Sequence, residues 1–481
     1  MNMKMVRYII GKMLGVQSVL LLLPMIVGMM YGEKTSSAFL ITSVLLAVCF
    51  AIWGRKRPEN TTIYAKEGLV IVATAWIFWS LFGALPFFLS GSIPNYVDAF
   101  FETVSGFTTT GSTILTNIEV LPKGMIFWRA LTHWIGGMGV LVFVMVLTSL
   151  DEKNSMHLKR AEVPGPEADK LVPKARATAQ LLYGMYFVLT AVEAVLLLCG
   201  GMNLFDAVTH AFSTAGTGGF SGYNASVAHF DSAYIDGVIT VFMILFGINF
   251  NLYFLLVLKD LKNVWKNEEL RAYLGIIAAA VGIIVVNILP MYQSIGKAFR
   301  YAAFQVASVI TTTGFITADF NLWPELSKCV LLVVMVIGAC AGSTGGGIKV
   351  SRFLILIKSI KREMKTMLHP KAVTLVKVNG KKVKEETMRG VYVYFIAYIL
   401  IMILSVLLVS INNFDFETSF TSVLTTLNNV GPGLNLVGPV ENFAKFSMFS
   451  KVVLCLDMLI GRLEIFPFLM LFSPTLWNKK F

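Results

Sequence analysis

Long apolar runs separated by short polar stretches dominate the chain. Runs long enough to cross about 30 Å of hydrocarbon fall near residues 9–31, 37–54, 68–90, 125–148, 179–200, 233–258, 272–291, 327–350, 388–411 and 447–472. The pattern predicts ten membrane-spanning helices. Four of the connections are too long for turns and too apolar for ordinary loops. Each holds a short helix-like stretch that ends in a Thr/Ser/Asn–Gly cluster: "DAFFETVSGFTTTGST", "LFDAVTHAFSTAGTGGFS", "FQVASVITTTGFITADF" and "FTSVLTTLNNVGPGLN". Their central glycines, Gly111, Gly216, Gly314 and Gly431, are separated by 105, 98 and 117 residues. Such self-similarity marks an internal repeat, here helix, re-entrant loop, helix. Four units use eight of the ten spans, and the first two spans are extra. The predicted divisions are 1–60 for the two extra helices, then 61–150, 151–262, 263–370 and 371–481 for the four units.

The physics of that unit selects a function class. Non-helical backbone at membrane depth is tolerated only when buried in protein or lining a wet cavity. Glycine lets successive carbonyls face one side, and rings of carbonyls replace the hydration shell of an alkali cation. A short helix aimed inward presents its negative C-terminal end, again favouring a cation. The expected fold is therefore an all-α membrane protein with four pseudo-repeated helix–pore loop–helix units around one axial pore.

Composition agrees. The chain is 56% hydrophobic and 14% charged, with a mean hydropathy of +0.72, whereas soluble proteins carry roughly a quarter charged residues. Threading the ten spans puts 31 of the 40 lysines and arginines on one side and eight on the other, with Arg462 inside a span. The positive-inside rule places both termini in the cytoplasm. Lys4, Arg7 and Lys12 precede the first apolar run without a small-residue cleavage site, so a retained first helix is expected. The opposite side carries twelve acidic residues, which favours approach by cations. The net charge of +12 is thus mostly topology signal, and nucleic-acid binding, which needs a folded basic domain, is excluded. Five scattered cysteines without a CxxC pair suggest neither zinc nor disulfides.

Two features inside the spans carry further chemistry. "GACAGSTGGGIK" at 338–349 resembles a phosphate loop, but counting from Gly342 puts Ile348 where the loop lysine belongs. "GTGGFSG" from Gly216 misses the dinucleotide fingerprint because Ser221 replaces its last glycine. No nucleophile–base pair or paired acids stand out, so no enzymatic activity is expected. Gly342, Gly345, Gly346 and Gly347 instead break a helix, as a flexible gate or as a packing kink. Arg462 is an intramembrane charge, which points to a cavity or a partner; Asp457 and Glu464 are both candidate partners. Glu193 reads as a helix–helix hydrogen bond. Glu102 and Asp319 are either cation-attracting carboxylates or solvated or structurally bonded ones. His133, Gly136, Gly137 and Gly139 read as close helix packing.

Taken with "KEGLVIVATAWIFWSLFGALPF", "WRALTHWIGGMG" and "IGRLEIFPFLMLFSP", these segments resemble the Trk/Ktr/HKT superfamily over nearly the whole chain. The two extra helices favour its Trk-type potassium uptake subunits. The resemblance implies K⁺ coordination by carbonyls of Thr109–Thr110–Gly111, Thr214–Ala215–Gly216, Thr312–Thr313–Gly314 and Asn429–Val430–Gly431. It implies a gate in the 338–349 loop facing Arg462, and a homodimer with one pore per chain. It also implies a cytosolic TrkA-type regulatory ring that binds the nucleotide (NAD or ATP/ADP), this chain holding no cofactor. The basic 349–389 segment is a candidate docking surface for that ring. An alternating-access cation symporter coupled to Na⁺ or H⁺ is the competing expectation.

Overall fold

The computed structural model describes residues 1–139, 175–372 and 374–474. The expected boundary at 150/151, the end of the 125–148 span and most of the basic 153–176 loop lie outside them. The N-terminal helices are α1 (Met3–Leu20), α2 (Leu22–Met30) and α3 (Ser36–Trp53). The elements that follow come in a recurring order: a long helix, a short helix, an extended stretch and a third helix. The first set is α4 (Ala65–Leu89), α5 (Tyr96–Phe107) and α6 (Lys123–Gly137). The second is α7 (Ala175–Cys199), α8 (Leu204–Ala215) and α9 (Ala233–Phe246), continued by α10 (Phe250–Val257) and α11 (Leu261–Lys266). The third is α12 (Glu268–Tyr292), α13 (Ile295–Ile310) and α14 (Glu325–Ile337), continued after a loop by α15 (Val350–Leu368). A two-stranded hairpin, β1 (Lys377–Val378) and β2 (Lys381–Lys382), leads to the last set: α16 (Glu385–Val409), α17 (Phe416–Asn428), α18 (Met448–Arg462) and α19 (Phe466–Leu469).

Among the described residues six helical segments, with α1 and α2 taken together as one, are long and apolar enough to cross a membrane, or seven counting α9 and α10 as one bent span. The difference from ten continuous spans is instructive. The runs at 233–258, 327–350 and 447–472 are each interrupted: α9 and α10 meet at 93°, α14 stops at Ile337, and α18 stops at Arg462. Hydropathy registers an apolar run whether or not its backbone stays helical. The first two breaks fall where the 338–349 loop meets neighbouring backbone, as described below.

The four short helices are set by local sequence at both ends. Asn95, Asn203, Ser294 and Asp415 cap their N-termini, each side chain accepting a backbone N–H of the first turn. At the other end all four close in the same way. Thr109, Thr217, Thr312 and Asn429 take left-handed conformations with φ of 55°, 54°, 60° and 56°. The N–H of the next residue, Thr110, Gly218, Thr313 or Val430, bonds back to the carbonyl of Ser105, Ser213, Ser308 or Thr425. This is the Schellman closure. It is made three times with a β-branched residue where glycine is usual.

Around these ends the core is apolar and continuous. Ile9, Phe39, Trp76, Trp79, Phe107 and Trp128 belong to one buried cluster that joins the N-terminal helices to the first and last sets. Exposed apolar side chains line the outside of α3, α7, α12 and α16, including Val44, Phe187, Val286 and Leu400, as hydrocarbon-facing helices require.

A buried ion pair crosses this core. Arg129 on α6 is buried and holds Glu102 of α5 at 2.8 Å, while its other arm donates to the Ser221 carbonyl at 3.1 Å. Glu102 also accepts from the Ile114 N–H at 3.0 Å. Of the expectations for Glu102, the structurally bonded one holds. Asp319 caps a short turn by accepting from the Asn321 N–H at 3.0 Å. Removing one partner of a buried ion pair strands the other charge and costs about 3–5 kcal/mol. Arg129→Ala and Glu102→Ala are therefore each expected to lower the thermal unfolding midpoint in detergent. The double variant should lose less than the sum, as a thermal-stability cycle will show.

Candidate functional site

The four helix closures aim their loops at one place. Two residues beyond each left-handed position stands a glycine with positive φ: Gly111 (81°), Gly219 (75°), Gly314 (82°) and Gly431 (94°). Each leaves no room for a side chain, because the backbone of the next segment is there. A Cβ on Gly111 would collide with the Gly218 carbonyl oxygen, one on Gly219 with that of Thr313, and one on Gly314 with that of Val430. A Cβ on Gly431 would lie 2.8 Å from the carbonyl oxygen of Thr110. Each glycine thus faces the carbonyl of the residue preceding the next glycine, and the fourth returns to the first. The segments form a closed ring of backbone. Ser112 donates to the Gly431 carbonyl at 3.3 Å and Asn429 to Thr110 Oγ1 at 3.0 Å, tying the last segment to the first. A cavity of about 170 Å³ opens beside the ring, and Gly111, Gly219, Gly314 and Gly431 all line it.

The expected residues Thr109, Thr110, Gly111, Thr312, Thr313, Gly314, Asn429, Val430 and Gly431 lie in this ring. Thr214, Ala215 and Gly216 do not occupy the matching position. Thr214 and Ala215 are the last residues of α8, and Gly216 is its C-cap with φ of −69°. The matching triplet is Thr217–Gly218–Gly219, three residues on. Gly216 is a glycine for another reason: its Cα lies against the backbone of His133, where a Cβ would collide with the carbonyl. The close helix packing expected of Gly137 is the other side of this contact, since a Cβ there would lie 2.6 Å from the Gly216 Cα, while Gly136 packs against the Phe107 carbonyl.

The glycine-rich loop at 338–349 passes under the ring, touching the residues before the glycines while the cavity is lined by those after them. Gly346 donates its N–H to Thr312 Oγ1 at 2.6 Å, and Gly347 donates to the Asn428 carbonyl at 3.1 Å. On another side the loop fills the break between α9 and α10. Cys340 donates to the Gly247 carbonyl at 3.1 Å and Phe250 to that of Gly342 at 3.0 Å. Positive φ occurs at Gly338, Gly342, Gly347 and Lys349, so of the triplet Gly345–Gly346–Gly347 only the last needs glycine for its conformation. The other two need it for space: a Cβ on Gly345 would lie 2.8 Å from the Thr311 carbonyl oxygen, and one on Gly346 would meet that of Asn428.

Arg462, at the end of α18, ties the loop to the opposite wall. Its guanidinium donates to the Thr344 carbonyl at 2.9 Å, to Thr109 Oγ1 at 3.3 Å and to the Gly137 carbonyl at 2.8 Å, and it also reaches the Gly136 carbonyl. Asp457 accepts from Ser405 at 2.6 Å, and Glu464 pairs with Arg352. Sequence reasoning did not find three further groups at this loop. Glu269 of α12 accepts from the N–H of Ala341 at 2.7 Å and of Ser351 at 3.1 Å, pinning both ends. Lys349 is buried and turns its ammonium back onto the Gly345 carbonyl. Arg352 stacks over Tyr394 at 4.0 Å while holding Glu464. Glu193 is fully buried on α7.

Comparison with known proteins places this geometry. Residues 35–480 match the sequence profile of the TrkH family, described as a cation transport protein. The chain is similar to the Trk system potassium uptake protein TrkH of Salmonella typhimurium, 39% identical with both chains covered completely. The protein of the same description in Escherichia coli K12 is 38% identical over the same extent. The crystal structure of the potassium transporter TrkH from Vibrio parahaemolyticus superposes with a TM-score of 0.89 at 34% identity, covering 99% of this chain and 100% of that one.

Arg462 bonds the loop at the Thr344 carbonyl and the far wall at the Gly136 and Gly137 carbonyls at once. Arg462→Ala is expected to raise amide hydrogen exchange at Ser343–Gly347 by about tenfold or more, with little change at Thr425–Gly431, since local opening is governed by local contacts. Exchange mass spectrometry on the purified protein reads both segments.

Proposed function

This chain belongs to the TrkH family of cation transport proteins, and on that premise we propose that it passes K⁺ through the ring, down its electrochemical gradient into the cell. The family consists of transport proteins, and the chain is an integral membrane protein rather than an enzyme. The observation that supports the K⁺ reading is the ring itself. Four differently encoded segments share one helix closure, and each glycine gives way to its neighbour's carbonyl. The selectivity filter is then Thr109–Gly111, Thr217–Gly219, Thr312–Gly314 and Asn429–Gly431, with four pore helices directing their negative ends at it. Carbonyls there replace water around a weakly hydrated alkali cation. The relatives are named as potassium uptake proteins, which favours K⁺ as the cargo.

The 338–349 loop is the gate in this reading. It lies across the route below the ring, and Arg462 adds a fixed positive charge beside it, which opposes cation entry while the loop is in place. Opening requires the loop to exchange its backbone hydrogen bonds for water. We assign the protein to the bacterial inner membrane with both termini cytoplasmic, as a homodimer with one pore per chain. The relatives' Trk-system name fits regulation by a cytosolic TrkA-type ring carrying the nucleotide, with α15 and the β1–β2 hairpin as its docking surface. No cofactor is assigned to this chain, and K⁺ is its only metal, as cargo.

Rb⁺ flux into proteoliposomes, with Na⁺ as competitor, tests the assignment. The wild type should select Rb⁺, at a flux beyond the turnover of a carrier; a carrier-like rate coupled to Na⁺ or H⁺ would establish the symporter instead. Gly314→Ser and Gly219→Ser should each reduce the Rb⁺ preference by about tenfold, since a misplaced carbonyl forfeits about 1.4 kcal/mol or more of discrimination. Gly216→Ala should lower the yield of folded protein and leave the preference of the remainder intact. The opposite result for Gly216 and Gly219 returns the filter to the earlier register. Alanine at Gly345, Gly346 and Gly347 together should dislodge the loop and raise flux in the absence of any partner.

A further inference from the structure

The second segment of the ring differs from the others at one position. Where the first, third and fourth carry Thr110, Thr313 and Val430 just before the glycine, the second carries Gly218. Its φ is not among the positive values, so backbone conformation does not demand glycine there. Space does: a Cβ on Gly218 would fall into the imidazole ring of His133. That imidazole is fully buried. It stacks on Phe220, the residue after Gly219, with centroids 4.1 Å apart and planes 20° apart. Its Nδ1 faces the Phe220 N–H at 3.4 Å, and its Nε2 has no hydrogen-bond partner among the described residues. The Arg129 guanidinium lies 4.0 Å from the centroid of the same phenyl ring. Arg129 and His133 are four residues apart on α6, so one helix face of the first unit grips the filter segment of the second.

We propose that His133 is a specificity-determining positioning residue: its imidazole stands in for the side chain that Gly218 lacks and fixes the second quarter of the filter. A polar or charged role fits poorly, because its contacts are one long hydrogen bond, a ring stack and the Gly218 backbone. Shape complementarity fits each of them. In a close-packed interior an added side chain and an existing one cannot share a volume. The two positions therefore form an exchangeable pair: imidazole with glycine, or a small residue with threonine. This inference rests on reading the four segments as a K⁺ filter.

The test is a double-mutant cycle on the full-length purified protein, scored by folded yield and by Rb⁺ uptake under Na⁺ competition. Gly218→Thr copies the residue of the first and third segments, and in the wild-type background it should reduce Rb⁺ preference by about tenfold or prevent folding, as overpacking does. His133→Ala should fold and lose preference by a smaller factor, about threefold, through the void it leaves. The double variant should recover both yield and preference to within about threefold of the wild type, a non-additivity expected only of groups sharing one volume. A double variant no better than Gly218→Thr alone, in yield or in preference, overturns the proposal, as does a Gly218→Thr protein that behaves like the wild type. Gly314→Ser run in parallel separates the two ideas. If it leaves the preference unchanged, the filter reading fails, while rescue of folded yield in the cycle still reports on the shared volume.

Discussion

The structure depends on one constraint: four backbone segments must meet with no side chain between them. At Gly111, Gly219, Gly314 and Gly431 the next segment's carbonyl occupies the space of a Cβ. The rest of the architecture serves that contact. Side-chain caps start the short helices and Schellman closures end them, so each loop leaves its helix in the same backbone conformation. The buried Glu102–Arg129 pair locks the first short helix to α6 and, through the Ser221 carbonyl, to the second loop. Below, Gly346 and Gly347 press backbone against Thr312 and Asn428, and Arg462 binds that layer to the carbonyls ending α6. Tight approach is achieved by glycine, and rigidity by the larger groups packed immediately behind it.

Much of this was legible in the sequence. Apolar runs give the helices, and the Thr/Asn–Gly clusters give the loops. The failure at Gly216 has a physical origin, since "TAG" looks like "TTTG" but its glycine answers to the backbone of His133. A better signal was present. Ser105, Ser213, Ser308 and Thr425 each precede the left-handed residue by four positions and the ring glycine by six. The hydroxyl residue is a fixed offset of the closure, whereas glycine count is not. Gly219–Phe220 and Gly314–Phe315 also share a Gly–Phe pair.

The glycines of 338–349 marked the break between α14 and α15, but the breaks in α9–α10 and α18–α19 were not legible. Their composition remains apolar, and what interrupts α9–α10 is tertiary: the 338–349 loop of the third unit takes up the Gly247 carbonyl and the Phe250 N–H. Glu269 and Lys349 were missed for a related reason. A carboxylate near the start of α12 looks like an ordinary first-turn acid, and only the fold brings it to both ends of a loop more than seventy residues away. Arg462 was visible because a charge inside an apolar run stands out without knowledge of its partners. Of the two acids near it in sequence, Asp457 bonds Ser405 and Glu464 pairs with Arg352.

Because the ring is closed by a single polypeptide, its quarters are inherited separately. In an assembly of identical chains a substitution appears at every corner at once, and a small distortion is multiplied by the symmetry. Here Thr110, Gly218, Thr313 and Val430 differ at one level of the ring, and at Gly218 the His133 imidazole takes the space of the missing side chain. Such a design lets the ring change in small steps, one corner at a time, with the other three holding the shape while a neighbour changes.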